Sequence, residues 1–112
     1  MPKKPAPGDY RLILSTCPNT RVARRIAAAL VGERLAACVN ILPLLRSIYR
    51  WRGKVESARE VLMVIKARRR DYSNIEQRIR ALHPYELPEI VTVGIAGGFS
   101  RYLSWIENPD HI

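Results

Sequence analysis

Hydrophobic and polar positions along the chain fall into short apolar runs separated by stretches with helical spacing. Residues 10–16, YRLILST, read as a strand. Pro18 and Asn19 then mark a helix start, and Val22, Ile26, Ala29 and Leu30 recur on one face of that helix. Arg21, Arg24 and Arg25 fall roughly on the opposite face and read as a solvated stripe. Residues 36–51, AACVNILPLLRSIYRW, form a second strand interrupted by Pro43. Proline cannot donate to a ladder, so a bulge or an edge is expected there. Arg52-Gly53 supplies a two-residue turn, and KVESAREVLMVIKA, 54–67, returns as the third strand. Asp71 is placed to cap a second helix with the stripe Tyr72, Ile75, Ile79 and Leu82. Glu76 and Arg80 are spaced to pair on its outer side. Pro84 stops this helix, and EIVTVGIA, 89–96, is the fourth strand. Ser100 is placed to cap a short last helix that ends at Asn108-Pro109.

The order β-α-β-β-α-β with a short final α predicts an α+β, ferredoxin-like fold: an antiparallel sheet with two helices on one face. A single domain is expected over 9–112, after a disordered, proline-rich tail at 1–8. A sheet covered on one face should alternate apolar and polar residues. VLMVI at 61–65 does not, nor does most of the first and fourth strands. Both sheet faces are therefore expected to be buried, one of them by another subunit. Val61, Met63 and Ile65, or else the alternating pair Leu62 and Val64, are the expected subunit contacts. Tyr49 and Trp51, at the tip of a long hairpin, are expected to clasp a neighbour.

Charge changes the picture of partners. The 112 residues carry 19 basic and 10 acidic side chains, a net +9. That favours an anionic ligand or surface and opposes the collection of free cations. No apolar run approaches the roughly 20 residues that span a bilayer, so no membrane association is expected. Cys17 and Cys38 are not spaced as a metal or redox pair and are expected as reduced, small apolar groups in a cytoplasmic protein. Gly-rich phosphate loops, HExxH and a nucleophile elbow are all missing, so no enzyme is expected. Nucleic acid is not expected either, because the strands are aliphatic where RNA-binding sheets of this topology carry stacking rings.

The stretches ERLAACVNILP, SIYRWRGKVE, VLMVIKARR, LHPYELPEI and YLSWIE, in order from about residue 10 to 107, resemble the CutA family, the divalent-cation tolerance proteins. The resemblance implies a cytoplasmic homotrimer of ferredoxin-like subunits, close in architecture to the PII signalling proteins. It also implies a role in metal tolerance, with weak binding of copper or another divalent ion that folding does not require. Some copper-binding members carry a cysteine late in the first strand and a His-His pair before Pro-Tyr. The matching positions hold Ser15, Leu82 and His83, of which only His83 agrees. Cys38, His83 and Glu86 are the candidate metal ligands, because thiolate, imidazole and carboxylate together suit soft or borderline ions. Tyr85, Glu60 and Lys66 are assigned to an intersubunit ligand cleft. The alternative function is a PII-like trimer that holds a small anionic ligand in that cleft. Taken as residues alone, His83 also reads as a helix C-terminal group and HPYELPEI, 83–90, as a connector steered by its two prolines.

Overall fold

A computed structural model describes residues 6–111. The expected tail at 1–8 lies at 1–5 outside the described residues. Residues 6–9 form a turn in which the Asp9 amide donates to the Ala6 carbonyl, and the Gly8 amide donates to the Ile95 carbonyl at 3.2 Å.

The elements follow the expected order: β1 (Tyr10–Cys17), α1 (Thr20–Gly32), β2 (Cys38–Trp51), β3 (Lys54–Arg68), α2 (Tyr72–Leu82), β4 (Val91–Gly94) and α3 (Ser100–Glu107). The strands form one antiparallel sheet in the order β2-β3-β1-β4, the ferredoxin-like arrangement. Asn19 caps α1, its side chain accepting from the Val22 amide at 2.8 Å. The stripe on α1 is turned slightly from expectation: Ala23, Ile26 and Leu30 are the buried residues.

Three local expectations are corrected. Asp71 does not cap α2 through its side chain; a 3-10 turn over Arg69–Asp71 precedes the helix, and the Asp71 carboxylate accepts from Arg68 Nε at 2.7 Å instead. A charged guanidinium outcompetes the backbone amide as the donor. Glu76 pairs not with Arg80 but with the Tyr72 hydroxyl, 2.9 Å away on the preceding turn. Ser100 opens α3 from inside, and Phe99 stands at the capping position without a side-chain bond.

The long hairpin behaves as its sequence suggests. Arg52 (φ 50°) and Gly53 (φ 80°) both take left-handed backbone between the paired Trp51 and Lys54, which is the mirror-image turn that matches strand twist. The register shifts between Leu42 and Leu45, so Pro43 and Leu44 form a bulge, with Leu44 at φ 67°.

Period two assigns every strand residue to a face. Ile13, Ser15, Cys17, Val61, Met63, Ile65 and Ala67 face α1 and α2, where they pack with Ile26, Leu30, Ile75 and Ile79. Val61, Met63 and Ile65 are thus core residues and not subunit contacts; the pairing with β1 fixes their parity toward the helices. The alternating set Leu62 and Val64 faces the other way, beside Leu12, Leu14, Leu42, Val91 and Val93. The helix α3 covers only one end of this second face, where Leu103 and Ile106 pack on Tyr10. Leu42, Val91 and Val93 remain 46%, 47% and 51% exposed. Half of the sheet's second face is an uncovered aliphatic surface. Among the described residues no helix is long and apolar enough to cross a membrane.

Candidate functional site

The polar groups of HPYELPEI meet the end of β1. Helix α2 stops at Leu82, and His83 takes extended backbone ahead of Pro84. This turns the His83 ring down onto the strand. His83 Nε2 donates to the Thr16 carbonyl at 2.7 Å, and Nδ1 accepts from the Tyr85 amide at 3.1 Å. A carbonyl can only accept and an amide N–H can only donate, so these partners fix one neutral tautomer with the proton on Nε2. The ring is buried and lies 4.7 Å from that of Tyr85, centroid to centroid.

Tyr85 continues the chain of contacts. Its hydroxyl donates to Glu60 Oε2 at 2.9 Å, and Glu60 is itself buried. Burial pushes the Tyr85 phenol well above the usual tyrosine range, and the Glu60 carboxylate adds to the effect, followed by the nearby Tyr49 and Cys17. Cys17 lies near these groups at the end of β1, opposite Val61. It is fully buried, and burial, with the Glu60 charge second, pushes its thiol up to about 11. His83, Tyr85 and Glu60 are therefore joined where β1 ends and the hairpin emerges, and Cys17, on the helix side of the sheet, is near enough for the Glu60 charge to act on its thiol.

The candidate ligands are only partly gathered. Cys38 pairs with Lys66, whereas Thr16, which receives His83, pairs with Leu62. Four residues along β3 separate them by about 13 Å. Glu86 is exposed and accepts from Arg52 at 3.1 Å, which ties the connector to the hairpin. Cys38, His83 and Glu86 are not brought together. Of the expected ligand cleft, Tyr85 and Glu60 meet directly. Lys66 lies six residues further along β3, about 20 Å away, with its ammonium 3.2 Å from the Tyr102 hydroxyl. Tyr49 reaches the neighbourhood of Tyr85 from the hairpin, and Trp51 lies nearer the turn under the Arg52 guanidinium. Among the described residues, no three His, Cys, Asp or Glu side chains are arranged to hold a metal ion. The residue that sequence reasoning left out of the site is Cys17. Its signal was parity: it stands two positions after Ser15, on the same side of a strand that does continue past Ser15.

A cavity of about 510 Å³ lies at the other end of the sheet, lined by Leu35, Ala36, Arg34, Arg68, Arg70 and Ile106 among others. Its arginines are already neutralised: Arg34 pairs with Asp110, Arg68 with Asp71 and Glu107, and Arg70 with Glu107.

The family model described as "CutA1 divalent ion tolerance protein" matches residues 11–109. A Thermus thermophilus protein named "Divalent-cation tolerance protein CutA" is 50% identical over 95 residues, which cover 85% of this chain and 92% of that one. The crystal structure of CutA1 from the psychrotrophic bacterium Shewanella sp. SIB1 aligns with a TM-score of 0.88 at 44% identity, covering 98% of this chain and 100% of the other. The structure titled as the periplasmic divalent cation tolerance protein CutA from Archaeoglobus fulgidus aligns with a TM-score of 0.85 at 37% identity, covering 88% and 95%.

Proposed function

The chain belongs to the CutA1 divalent ion tolerance protein family, and from that premise we propose that it works as a homotrimer that binds copper or another divalent ion weakly near His83, Glu60 and Cys17, with a neighbouring subunit completing the ligand set because, among the described residues, no three such donors of one chain are arranged around an ion. The family match carries the metal reading, and the donor types of the cluster support it. Thiol, imidazole and carboxylate suit a soft or borderline ion. Free arginines converging on the cleft would have favoured the anionic ligand instead, and the arginines of the 510 Å³ cavity are paired. Weakness follows from the geometry. An ion must displace the Thr16 carbonyl or the Tyr85 amide from His83, and must take Cys17 without its proton. The net +9 opposes any cation further.

The uncovered aliphatic face supports self-association. Leu44 adds to it: 92% exposed, with left-handed backbone at the bulge apex, it is costly for an isolated chain and useful as a knob in a contact. The proposed compartment is the cytoplasm, which suits the two free thiols Cys17 and Cys38. The Archaeoglobus relative is described as periplasmic, so cell fractionation is the check on this point.

Calorimetric titration with Cu(I), Cu(II) and Zn(II) tests the site. Cys17→Ser and His83→Ala are expected to weaken binding at least tenfold, and Cys38→Ser to leave it unchanged. Affinity should rise from pH 6 to 8 and rise with added salt, which screens the repulsion. An anionic ligand would weaken with salt. Equal metal binding by the parent, Cys17→Ser and His83→Ala would remove the proposed site.

A further inference from the structure

The helix side of the sheet carries a group of arginines that none of the contacts above uses. Strand β1 ends at Cys17, opposite Val61, and α1 starts three residues later, so the N-terminal half of α1 sits at the hairpin end of the sheet. Helix α1 packs over β1, β2 and β3 and exposes Arg21, Arg24 and Arg25. Beyond the end of the helix layer, the hairpin continues on the same face. Val61 points to the helices, so Arg59 and Val55 share its side, and their cross-strand partners Arg46 and Arg50 do too. Arg46 and Arg59 are directly opposite each other, a like-charged pair that destabilises a sheet unless something anionic offsets it. Among the described residues, Arg46 donates only to the Ser57 hydroxyl, at 2.9 Å. Among the described residues, none of the six arginines meets a carboxylate, whereas Arg34, Arg52, Arg68, Arg70 and Arg78 all do.

We infer that Arg21, Arg24, Arg25, Arg46, Arg50 and Arg59 form a docking face for the phosphate backbone of duplex nucleic acid. The chemistry fits phosphate: all six groups are guanidinium forks, which match phosphate oxygens two at a time, as they also match a carboxylate, and competition by polyglutamate separates the two. Tyr49 and Trp51 alternate with Arg46 and Arg50 and so point to the opposite side of the hairpin. The face therefore offers no rings to stack unpaired bases, and a single strand is the poorer fit. The arginines run about 6 Å along the helix and about 13 Å along the hairpin, long enough to meet several phosphates of one backbone. Ile48 and Val55 are exposed on the hairpin part of this face, but no large apolar side chain is exposed beside the arginines of α1, so the face lacks the continuous apolar stripe that enters a bilayer and a lipid surface is the poorer match. Contact of this kind reads shape and charge, and it needs none of the stacking residues that the sheet lacks.

Fluorescence anisotropy of a labelled 20-base-pair duplex of arbitrary sequence, titrated with the full chain, tests this. Binding is expected at low salt, falling about a thousandfold between 50 and 200 mM salt if six phosphates are contacted. Arg24→Glu with Arg59→Glu should weaken it at least tenfold. The control Arg69→Glu with Arg101→Glu makes the same change in net charge on exposed residues elsewhere and should weaken it less than threefold. Equal losses from the two double variants would show that only overall charge acts, and would overturn the assignment. So would binding to phosphatidylglycerol vesicles that exceeds duplex binding at equal salt, or equal competition by polyglutamate of matched charge. Circular dichroism confirms that each variant is folded before its affinity is compared.

Discussion

At the scale of single residues, the structure turns on how His83 and Cys17 are held. His83 is the only residue of HPYELPEI with both polar atoms committed to backbone, and its burial leaves those bonds no water to exchange with. His83→Ala should leave the Thr16 carbonyl and the Tyr85 amide unpaired and destabilise the fold by roughly 1–3 kcal/mol; chemical denaturation measures it. Cys17 gives a pH signature with a definite sign. Its thiol is held at about 11, above its value of 9.0 in an unperturbed chain. The unfolded state therefore loses the proton first as pH rises. The stabilisation is complete below about 9 and is lost as pH climbs toward 11, with a slope of at most ~1.4 kcal/mol per pH unit. The Tyr85 phenol is shifted in the same direction and steepens the loss at the alkaline end. Denaturation midpoints of the parent should fall over this range more steeply than those of Cys17→Ala. Parallel curves would mean that Cys17 is not held as the structure shows.

At the scale of elements, the hairpin is the part most directly written in the chain. Arg52-Gly53 and Pro43 each carry a backbone restriction that permits few geometries, and the turn and the bulge appear where those restrictions put them. The Cβ of an alanine at Gly53 would meet no atom, so Gly53→Ala isolates the conformational penalty of φ 80°. It should destabilise by about 1 kcal/mol, read from the shift in denaturation midpoint. The stripes of α1 and α2 and the two-faced apolar strands were also legible, because periodicity is a property of neighbours in sequence. Which alternating set of β3 faces the helices was not legible: Val61, Met63 and Ile65 are as apolar as Leu62 and Val64, and only pairing with β1 decides. The same holds for the site. Cys38 and Cys17 look alike in sequence, and only the register puts Cys17 opposite Val61, at the end of the sheet where His83 reaches Thr16, and leaves Cys38 about 13 Å down the strand. Asp71 had two competing partners, and local spacing could not rank a guanidinium against an amide.

At the scale of the whole molecule, one chain leaves its sheet half covered. Leu14, Leu62 and Val64 are partly shielded, but Leu42, Val91 and Val93 stay about half exposed, on a face with only α3 at one end. Exposed aliphatic surface of that continuity is expected to be taken up by association. Val64→Asp places a charge in the middle of that surface and should dissociate the assembly, because a desolvated, unpaired charge costs several kcal/mol. The decisive measurement is sedimentation equilibrium of the parent chain across a dilution series from about 100 to 1 μM, with circular dichroism on the same samples. A folded species of about three times 12.8 kDa throughout is the predicted result. A folded monomer of 12.8 kDa at every concentration would contradict the assembly and the reading of the open sheet face on which it rests.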